Sequence, residues 1–292
     1  MYSVAVLGSS GMIGHEVASR LETETSFRVF KYQRKENKKD KAIINFDIFN
    51  QDLNSISAEF SKYDYVINCT GVIKHLINSD DQVSLEKIKV VNSYFPKLLS
   101  DALENFSTKI IEIGTDCVFS GSRGSYSETS PKDATDIYGE TKKLGEVDAS
   151  NVMRIRTSVV GLEVNRSKEL LSWFLSKKSE AVDGYTNHHW NGITSYHLSL
   201  VLKTIILNNL FARGTQHFFP ADKVTKFQLL KIFKEVWSRD DLLVMPIEAP
   251  IRVDRTLTSE NPTSIVNIWN KSGYLEIPTV KQLISEYYQV QN

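Results

Sequence analysis

A glycine-rich turn near the amino terminus is the feature that most constrains the fold of this chain. The apolar run Val4–Leu7 leads directly into it, and Gly8, Gly11 and Gly14 follow at intervals of three residues. The run predicts a buried strand, and apolar residues at helical spacing begin within the turn. In such a unit the first glycine permits the tight turn, the second lets a pyrophosphate approach backbone N–H groups, and the third allows helix and strand to pack closely. The turn therefore predicts a dinucleotide site.

Further strands and helices alternate along the first half of the chain, which is typical of an α/β, doubly wound parallel sheet of the Rossmann type. Ligands of such sheets bind outside the carboxyl ends of the strands. The expected strands are Val4–Leu7, Arg28–Tyr32, Ala42–Asn45, Tyr65–Cys69, Lys109–Ile113 and Met153–Arg156.

The pattern becomes less regular after Arg156. We expect residues 1–160 to form the dinucleotide-binding domain, and 161–292 to form mainly a smaller substrate-binding domain, parts of which pack back on the sheet. Four helices are expected in this second half, at Leu170–Leu175, His197–Leu207, Lys226–Val236 and Val280–Tyr288.

Tyr138 and Lys142 are four residues apart in a stretch expected to be helical. Residues at this spacing lie on the same face of a helix. An ammonium beside a phenol lowers the phenol's pKa from about 10, so Lys142 is expected to tune Tyr138 toward neutral pH. The pair predicts a proton donor.

The end of the second strand bears on the choice of cofactor. An NAD-specific site usually carries an acidic residue there for the ribose hydroxyls, but this chain has Gln33 and Arg34. A cation suits a 2′-phosphate, which predicts NADP(H) as the preferred cofactor and NAD(H) as the alternative. In the competing interpretation Arg34 merely opens a solvated basic run that extends to Lys41.

Composition and charge exclude several classes of protein. Among the 292 residues 41% are hydrophobic, and 35 basic residues balance 35 acidic ones, so no nucleic acid or other polyanion is expected as a partner. No signal region or transmembrane-length apolar run is present. Cys69 and Cys117 are the only cysteines, which favours a reducing, cytoplasmic location. His188 and His189 are adjacent and have no suitably spaced Cys or carboxylate cluster, so no metal site is expected.

The run Gly-Thr-Asp-Cys-Val-Phe-Ser-Gly at 114–121 resembles the Ser-Thr-Asp-Tyr-Val-Phe-Asp-Gly stretch of dTDP-4-dehydrorhamnose reductases. These belong to the extended short-chain dehydrogenase/reductases, whose marks are the glycine spacing and Tyr-x-x-x-Lys pair described above. Arg156-Thr157-Ser158 is similar to the family's strand after the catalytic helix, and the run at 191–194 occupies the place of its Gly-x-Pro-Thr element. The resemblance implies reduction of the 4-keto group of a nucleotide-linked 6-deoxy sugar for surface polysaccharide biosynthesis.

The resemblance also implies roles for individual residues. Tyr138 would protonate the developing alkoxide, Thr115 would hydrogen-bond the same oxygen, and Lys142 would also hold the nicotinamide ribose. The implied cofactor contacts are Gly8, Ser10, Gly11, Met12, Ile13, Gly14, Arg34, Asp47 at the adenine edge, Cys69, Thr70, Gly71, Tyr138 and Lys142. The implied substrate contacts are Thr115, Asp116, Cys117, Asn187, Asn191 and Arg255, the last of these at the diphosphate.

Departures from the family leave the identity of the sugar undetermined. Cys117 and Val159 stand where the family has aromatic residues on the sugar side of the pocket, and Gly114 replaces a serine. A UDP-linked N-acetylamino sugar is therefore a rival to the dTDP-linked deoxyhexose. A nucleotide-sugar epimerase or dehydratase and a non-catalytic nucleotide-binding regulatory subunit are the alternative functions. A homodimer is a further expectation, since dimers are common in these enzymes.

Overall fold

The computed structural model describes residues 1–34, 42–73, 77, 81–164 and 167–292 of the chain. Residues 35–41, which hold most of the basic run expected after Arg34, lie outside this part. The helices are α1 (Met12–Glu22), α2 (Leu53–Phe60), α3 (Gln82–Lys89), α4 (Phe95–Leu103), α5 (Ile137–Leu144), α6 (Leu170–Ser176), α7 (Ser195–Leu207), α8 (Lys226–Val236), α9 (Pro262–Lys271) and α10 (Val280–Gln291). No helix in these ranges is long and apolar enough to cross a membrane.

The strands in the same ranges fall into one large sheet and several small ones. They are β1 (Tyr2–Leu7), β2 (Phe27–Gln33), β3 (Ile43–Asn45), β4 (Tyr65–Asn68), β5 (Lys109–Thr115), β6 (Val152–Thr157), β7 (Val159–Val160), β8 (Ala181–Tyr185), β9 (His188–Trp190), β10 (Ile193–Thr194), β11 (Gly214–His217), β12 (Val224–Thr225), β13 (Leu243–Ile247) and β14 (Val253–Asp254).

The large sheet has the order β11-β6-β5-β4-β1-β2-β3, and all of its neighbouring strands are parallel. The predicted Rossmann-type sheet is therefore confirmed, and its six expected strands lie within a few residues of their predicted bounds. The strand order reverses at β1, which leads to β2 on one side while β4 lies on the other. This reversal is where an open α/β sheet forms its ligand crevice.

Strand β1 shows how the sequence builds the two faces of the sheet. Successive side chains of a strand point to opposite faces, and all of residues 4–7 are buried. Val4 and Val6 join the core that lies under α1, α7 and α9, whereas Ala5 and Leu7 join the core under α2 and α4. The continuous apolar run is thus explained by a strand that is covered on both faces.

The second half of the chain contributes both to the sheet and to a core of its own. Strand β11 forms one edge of the large sheet, and α7 and α9 cover one of its faces. A separate apolar core lies among α6, α8 and α10. Neither β11 nor α9 was among the expected elements, although α9 carries a recognisable start signal, with Asn261 as its cap and Pro262 in its first turn.

Candidate active site

A cavity of about 800 Å³ lies at the carboxyl ends of the central strands. It runs from the glycine-rich turn, past the ends of β2 and β4, to the catalytic pair on α5. Its wall consists of Ser9, Ser10, Gly11, Met12, Ile13, His15, Ala18, Ser19, Lys31, Gln33, Arg34, Ile43, Cys69, Thr70, Gly71, Ile73, Ile113, Gly114, Tyr138, Lys142, Glu163, Val164 and Glu169. This volume is typical of small-molecule and cofactor sites.

The glycine-rich turn has the geometry of a phosphate cradle. Gly8 has a φ of 75°, a left-handed conformation that favours glycine. A Cβ atom at Gly14 would lie 2.3 Å from the carbonyl oxygen of Gly8, so only glycine allows this close approach of helix to strand. Helix α1 begins at Met12, and its N-cap Gly11 offers no side chain to the first N–H groups. These donors suit a pyrophosphate.

The structure places the predicted cofactor residues in three groups. Ten of them line the cavity: Ser10, Gly11, Met12, Ile13, Arg34, Cys69, Thr70, Gly71, Tyr138 and Lys142. Gly8 and Gly14 shape the turn without lining the cavity. Asp47 forms the third group, since its carboxylate accepts the N–H of Phe49 and caps the short 3₁₀ helix Ile48–Asn50 outside the cavity wall.

His15 and Lys31 are among the wall residues that were not predicted. His15 lies one helical turn after Gly11, to whose carbonyl oxygen its N–H donates at 2.8 Å. Its place four residues after Gly11 is therefore the sequence signal from which His15 could have been predicted. Lys31 precedes Arg34 on β2 and forms an ion pair with Glu22 at 3.0 Å.

The three predicted catalytic residues come together at the other end of the cavity. Asp136 caps α5 by accepting the N–H of Gly139 at 3.1 Å, so the helix begins just before Tyr138. The side chain of Thr115 acts on the phenol of Tyr138 and lowers its pKa. Lys142 is buried, and its Nζ atom donates to the carbonyl oxygen of Ile113 at 3.3 Å.

The electrostatics of the pair differ from the expectation. Burial raises the pKa of Tyr138 above its usual value, Cys117 raises it further, and the hydrogen bond from Thr115 lowers it only in part. Burial also lowers the pKa of Lys142, although Glu112 and Glu146 oppose this effect. The pKa of Tyr138 thus shifts in the direction opposite to the expected one, because loss of hydration is the largest influence on it.

One supporting residue was missed altogether. Asn92 lies in the π-helical segment Val90–Tyr94 between α3 and α4, and it is buried. Its side chain accepts the N–H of Val72 at 2.9 Å and donates to the carbonyl oxygen of Val72 at 3.1 Å and to the hydroxyl of Thr141 at 3.2 Å. Asn92 thus ties the chain after β4 to the catalytic helix next to Lys142. A π-helical turn inside a helical stretch leaves no pattern that would have revealed it.

Asp116, Cys117 and Arg255, all predicted to bind substrate, gather beside Thr115. The Thr115 hydroxyl donates to Oδ1 of Asp116 at 3.3 Å. The guanidinium of Arg255 donates to the carbonyl oxygen of Phe119 at 2.8 Å and lies 4.0 Å from the carboxylate of Asp136. Burial raises the pKa of Asp116, and Arg255 opposes the effect. Burial also raises the pKa of the Cys117 thiol to about 12.

Asn187 and Asn191, both predicted to contact substrate, form hydrogen bonds to backbone. Asn187 donates to the carbonyl oxygen of Ala249 at 2.7 Å and accepts its N–H at 3.0 Å. Asn191 bonds Leu257 in the same two-way manner, at 2.8 and 2.9 Å. These bonds supply partners for peptide groups of the segment 249–257. Both amides therefore position the segment that carries Arg255.

No group of His, Cys, Asp and Glu that could hold a metal ion occurs in the part of the chain that the structure describes. The cavity and its neighbours offer hydroxyl, ammonium and guanidinium groups. The arrangement can bind a dinucleotide along the strand ends and can donate a proton from Tyr138 to an oxygen that is also bonded by Thr115.

Comparisons with known proteins agree with this geometry. The family model described as RmlD substrate binding domain matches residues 2–289. A dTDP-4-dehydrorhamnose reductase structure from Bacillus anthracis in complex with NADP is 16% identical over 100% of both chains, with a TM-score of 0.76. A dTDP-4-dehydrorhamnose reductase structure from Clostridium acetobutylicum is 17% identical over 99% of both chains, with a TM-score of 0.73.

An enzyme of another kind shares the fold. The UDP-glucuronic acid 4-epimerase from Bacillus cereus, solved in complex with NAD, is 14% identical over 98% of this chain and 95% of its own, with a TM-score of 0.72. No curated protein sequence matches the chain.

Proposed function

Because the chain belongs to the family of the RmlD substrate-binding domain, we propose that it reduces the 4-keto group of a nucleotide-linked 6-deoxy sugar with NADPH. The observation that carries this proposal is that Tyr138 and Lys142 lie together in the wall of the nucleotide cavity, with the side chain of Thr115 acting on the phenol of Tyr138. A carbonyl oxygen bonded by both hydroxyls is stabilised most when it becomes an alkoxide. These groups therefore act on charge that appears only in the transition state.

The roles of the residues follow from their positions. The bound reduced nicotinamide supplies a hydride. Tyr138 donates its proton to the sugar oxygen, so that hydride and proton together convert the ketone to an alcohol. The raised pKa of Tyr138 keeps the phenol protonated at neutral pH, which suits an acid in the direction of reduction. Lys142, in the same wall, would hold the hydroxyls of the nicotinamide ribose.

The cofactor is proposed to be NADP(H), with NAD(H) as the alternative. Arg34 and Lys31 both line the cavity at the end of β2, where a 2′-phosphate would lie. A guanidinium matches a phosphate with two parallel hydrogen bonds. The Bacillus anthracis neighbour, which holds NADP, supports the same choice.

We also propose a cytoplasmic homodimer. Cys69 and Cys117 are both free, which agrees with a reducing compartment. Val83 on α3, Tyr94 on the π-helical segment and Leu144 on α5 are 61%, 61% and 70% exposed. Large apolar side chains that are this exposed, and that lie on neighbouring elements, suit a symmetric contact with a second copy of this chain. Light scattering of the purified protein tests the assembly.

The proposed reaction is tested by following NADPH oxidation with a panel of 4-keto-6-deoxy sugar nucleotides linked to dTDP, UDP and GDP. We expect stoichiometric conversion of at least one of them to a 4-hydroxy product, identified by mass and NMR. Interconversion of sugar epimers without net NADPH consumption would instead identify an epimerase. Binding without turnover would identify a regulatory subunit.

A further inference from the structure

Lys226 opens helix α8 beside the sugar side of the site. The side chain of Thr225 caps the helix, and Val224 pairs with Trp190 across β12 and β9. These contacts bring the Nζ atom of Lys226 to 5.5 Å from the centre of the Trp190 ring. The indole N–H donates to the hydroxyl of Ser158 at 2.8 Å. Lys226 is therefore held against a ring that is itself bonded to the end of the large sheet.

This position lies next to the reacting groups. Ser158 directly follows Thr157, which is the register partner of Thr115 in the parallel pair β5 and β6. The charged groups that act on Lys226 come from three separate segments: Asp116 after β5, Glu169 before α6, and Arg255 after β14. Glu169 also lines the cavity together with Tyr138.

The ammonium of Lys226 is half-buried, and burial lowers its pKa, whereas Asp116 raises it. Within the described ranges, no carboxylate forms a salt bridge with it. Lys226 thus offers hydrogen bonds, and the carboxylate of Asp116, whose charge acts on Lys226, accepts them. A half-buried donor and acceptor pair of this kind suits a neutral polar group with both functions.

We propose that Lys226 is a specificity-determining residue which, together with Asp116, selects a sugar carrying an acylamino group. This inference rests on the proposed function and names the substrate class of the same site. The amide carbonyl accepts from the ammonium of Lys226, and the amide N–H donates to the carboxylate of Asp116. The acyl methyl group packs on the ring of Trp190. A hydroxyl must perform both functions from one atom and bridges the two charges less well.

A diphosphate is the competing occupant of this position, and the charges disfavour it. The two carboxylates that act on Lys226, Asp116 and Glu169, offset its positive charge and would repel a phosphate. A phosphate site normally offers cations without opposing carboxylates. Arg255, whose guanidinium lies beside Phe119 and Asp136, remains the candidate for the diphosphate.

The test uses two UDP-linked 4-keto-6-deoxy sugars that differ only in an acetamido or a hydroxyl group at carbon 2. The kcat/KM for each, with NADPH, is measured for the full-length wild type, Lys226→Met and Lys226→Arg. Lys231→Met is the matched control, because Lys231 is exposed on the same helix and contacts only the ring of Phe227. Calorimetry with the corresponding 4-hydroxy sugar nucleotides measures the same preference without turnover.

We expect the wild type to prefer the acetamido sugar by about ten- to hundredfold, as for a charge-assisted hydrogen bond. Lys226→Met should abolish most of this preference, Lys226→Arg should keep part of it, and Lys231→Met should leave it unchanged. Equal use of both sugars by the wild type would overturn the inference and leave the reductase proposal intact. An equal loss for both sugars in Lys226→Met would also overturn it, because the lysine would then bind a group that both share, such as the diphosphate. Preferential binding without turnover of either ketone would support the inference and refute the reductase.

Discussion

The guanidinium of Arg156 donates to the imidazole of His217, with 2.7 Å between Nη1 and Nε2. Both residues are buried at the edge of the large sheet. The other ring nitrogen of His217 lies 2.7 Å from the carbonyl oxygen of Thr258, which can only accept, so the ring proton is on Nδ1 and Nε2 must accept. The guanidinium also forms a two-pronged ion pair with Glu146, which follows the catalytic helix. The histidine is thereby held neutral.

This contact predicts loss of stability in mild acid. Burial, followed by the charge of Arg156, lowers the pKa of His217 from 6.5 to about 4. A histidine with a lowered pKa contributes its full stabilisation at a pH above 6.5, its pKa in the unfolded chain. As the pH falls from 6.5 toward 4 this contribution is lost, because the unfolded chain binds the proton before the folded one does. The loss amounts to about 3 kcal/mol at most. Urea unfolding at pH 7.5, 6.0 and 5.0 should show a flatter pH dependence for His217→Gln than for the wild type; parallel curves would contradict the assignment.

Replacing Tyr138 by Phe removes one hydroxyl and little packing. We expect kcat to fall by about 10²- to 10⁴-fold, the usual contribution of a positioned acid, while NADPH affinity stays close to that of the wild type. Steady-state kinetics and fluorescence titration of NADPH measure the two effects separately. The exposed Tyr94 provides the control variant Tyr94→Phe, which should keep full turnover. A fully active Tyr138→Phe would rule out the proposed acid.

Arg34→Ala tests the preference for NADP(H). Loss of charge-assisted hydrogen bonds to a 2′-phosphate should lower kcat/KM for NADPH by about ten- to hundredfold and leave the value for NADH nearly unchanged. Arg28→Ala is the control, because Arg28 is exposed on β2, the strand that Arg34 follows, and lies over the ring of Phe30. If the wild type already prefers NADH, Arg34 is only a solvated charge. The same conclusion follows if Arg34→Ala leaves the ratio of kcat/KM for NADPH to kcat/KM for NADH unchanged.

Asn92→Ala should destabilise the protein by about 1–3 kcal/mol, because it leaves the half-buried peptide groups of Val72 without their partners. Turnover should fall as well, since α5 loses its tie to the chain after β4. Asn54, exposed on α2, offers the comparison Asn54→Ala, for which a change below about 0.5 kcal/mol is expected. Equal stabilities of the two variants would show that the π-helical segment does not depend on Asn92.

The parts of the fold that could be predicted are those with a strong local signal. The run Val4–Leu7 and the glycines after it determine a buried strand and a tight turn by themselves. Strand β11 has no such signal, since Gly-Thr-Gln-His contains no apolar run and becomes a strand only because the edge of β6 is available to pair with it. Tertiary pairing decides its conformation, and propensity does not.

The residues of the candidate site likewise differ in whether the sequence alone could reveal them. Tyr138 and Lys142 could be found because the proposed chemistry requires a fixed spacing. The backbone hydrogen bonds of Asn187 and Asn191 could not be predicted, because the sequence does not tell whether an amide faces a ligand or a neighbouring peptide group. Lys226 looks like any lysine in the first turn of a helix until the fold brings it over the ring of Trp190.

The edge position of β11 has a consequence for how such a protein can change. Residues 214–217 complete a sheet that begins at residue 2, and α7 and α9 cover it, so a fragment ending near residue 160 would expose an unpaired strand edge and a bare apolar face. The half after residue 160 therefore cannot be exchanged as a unit between relatives without dismantling the sheet of the first half. Replacement of single side chains leaves this shared sheet intact.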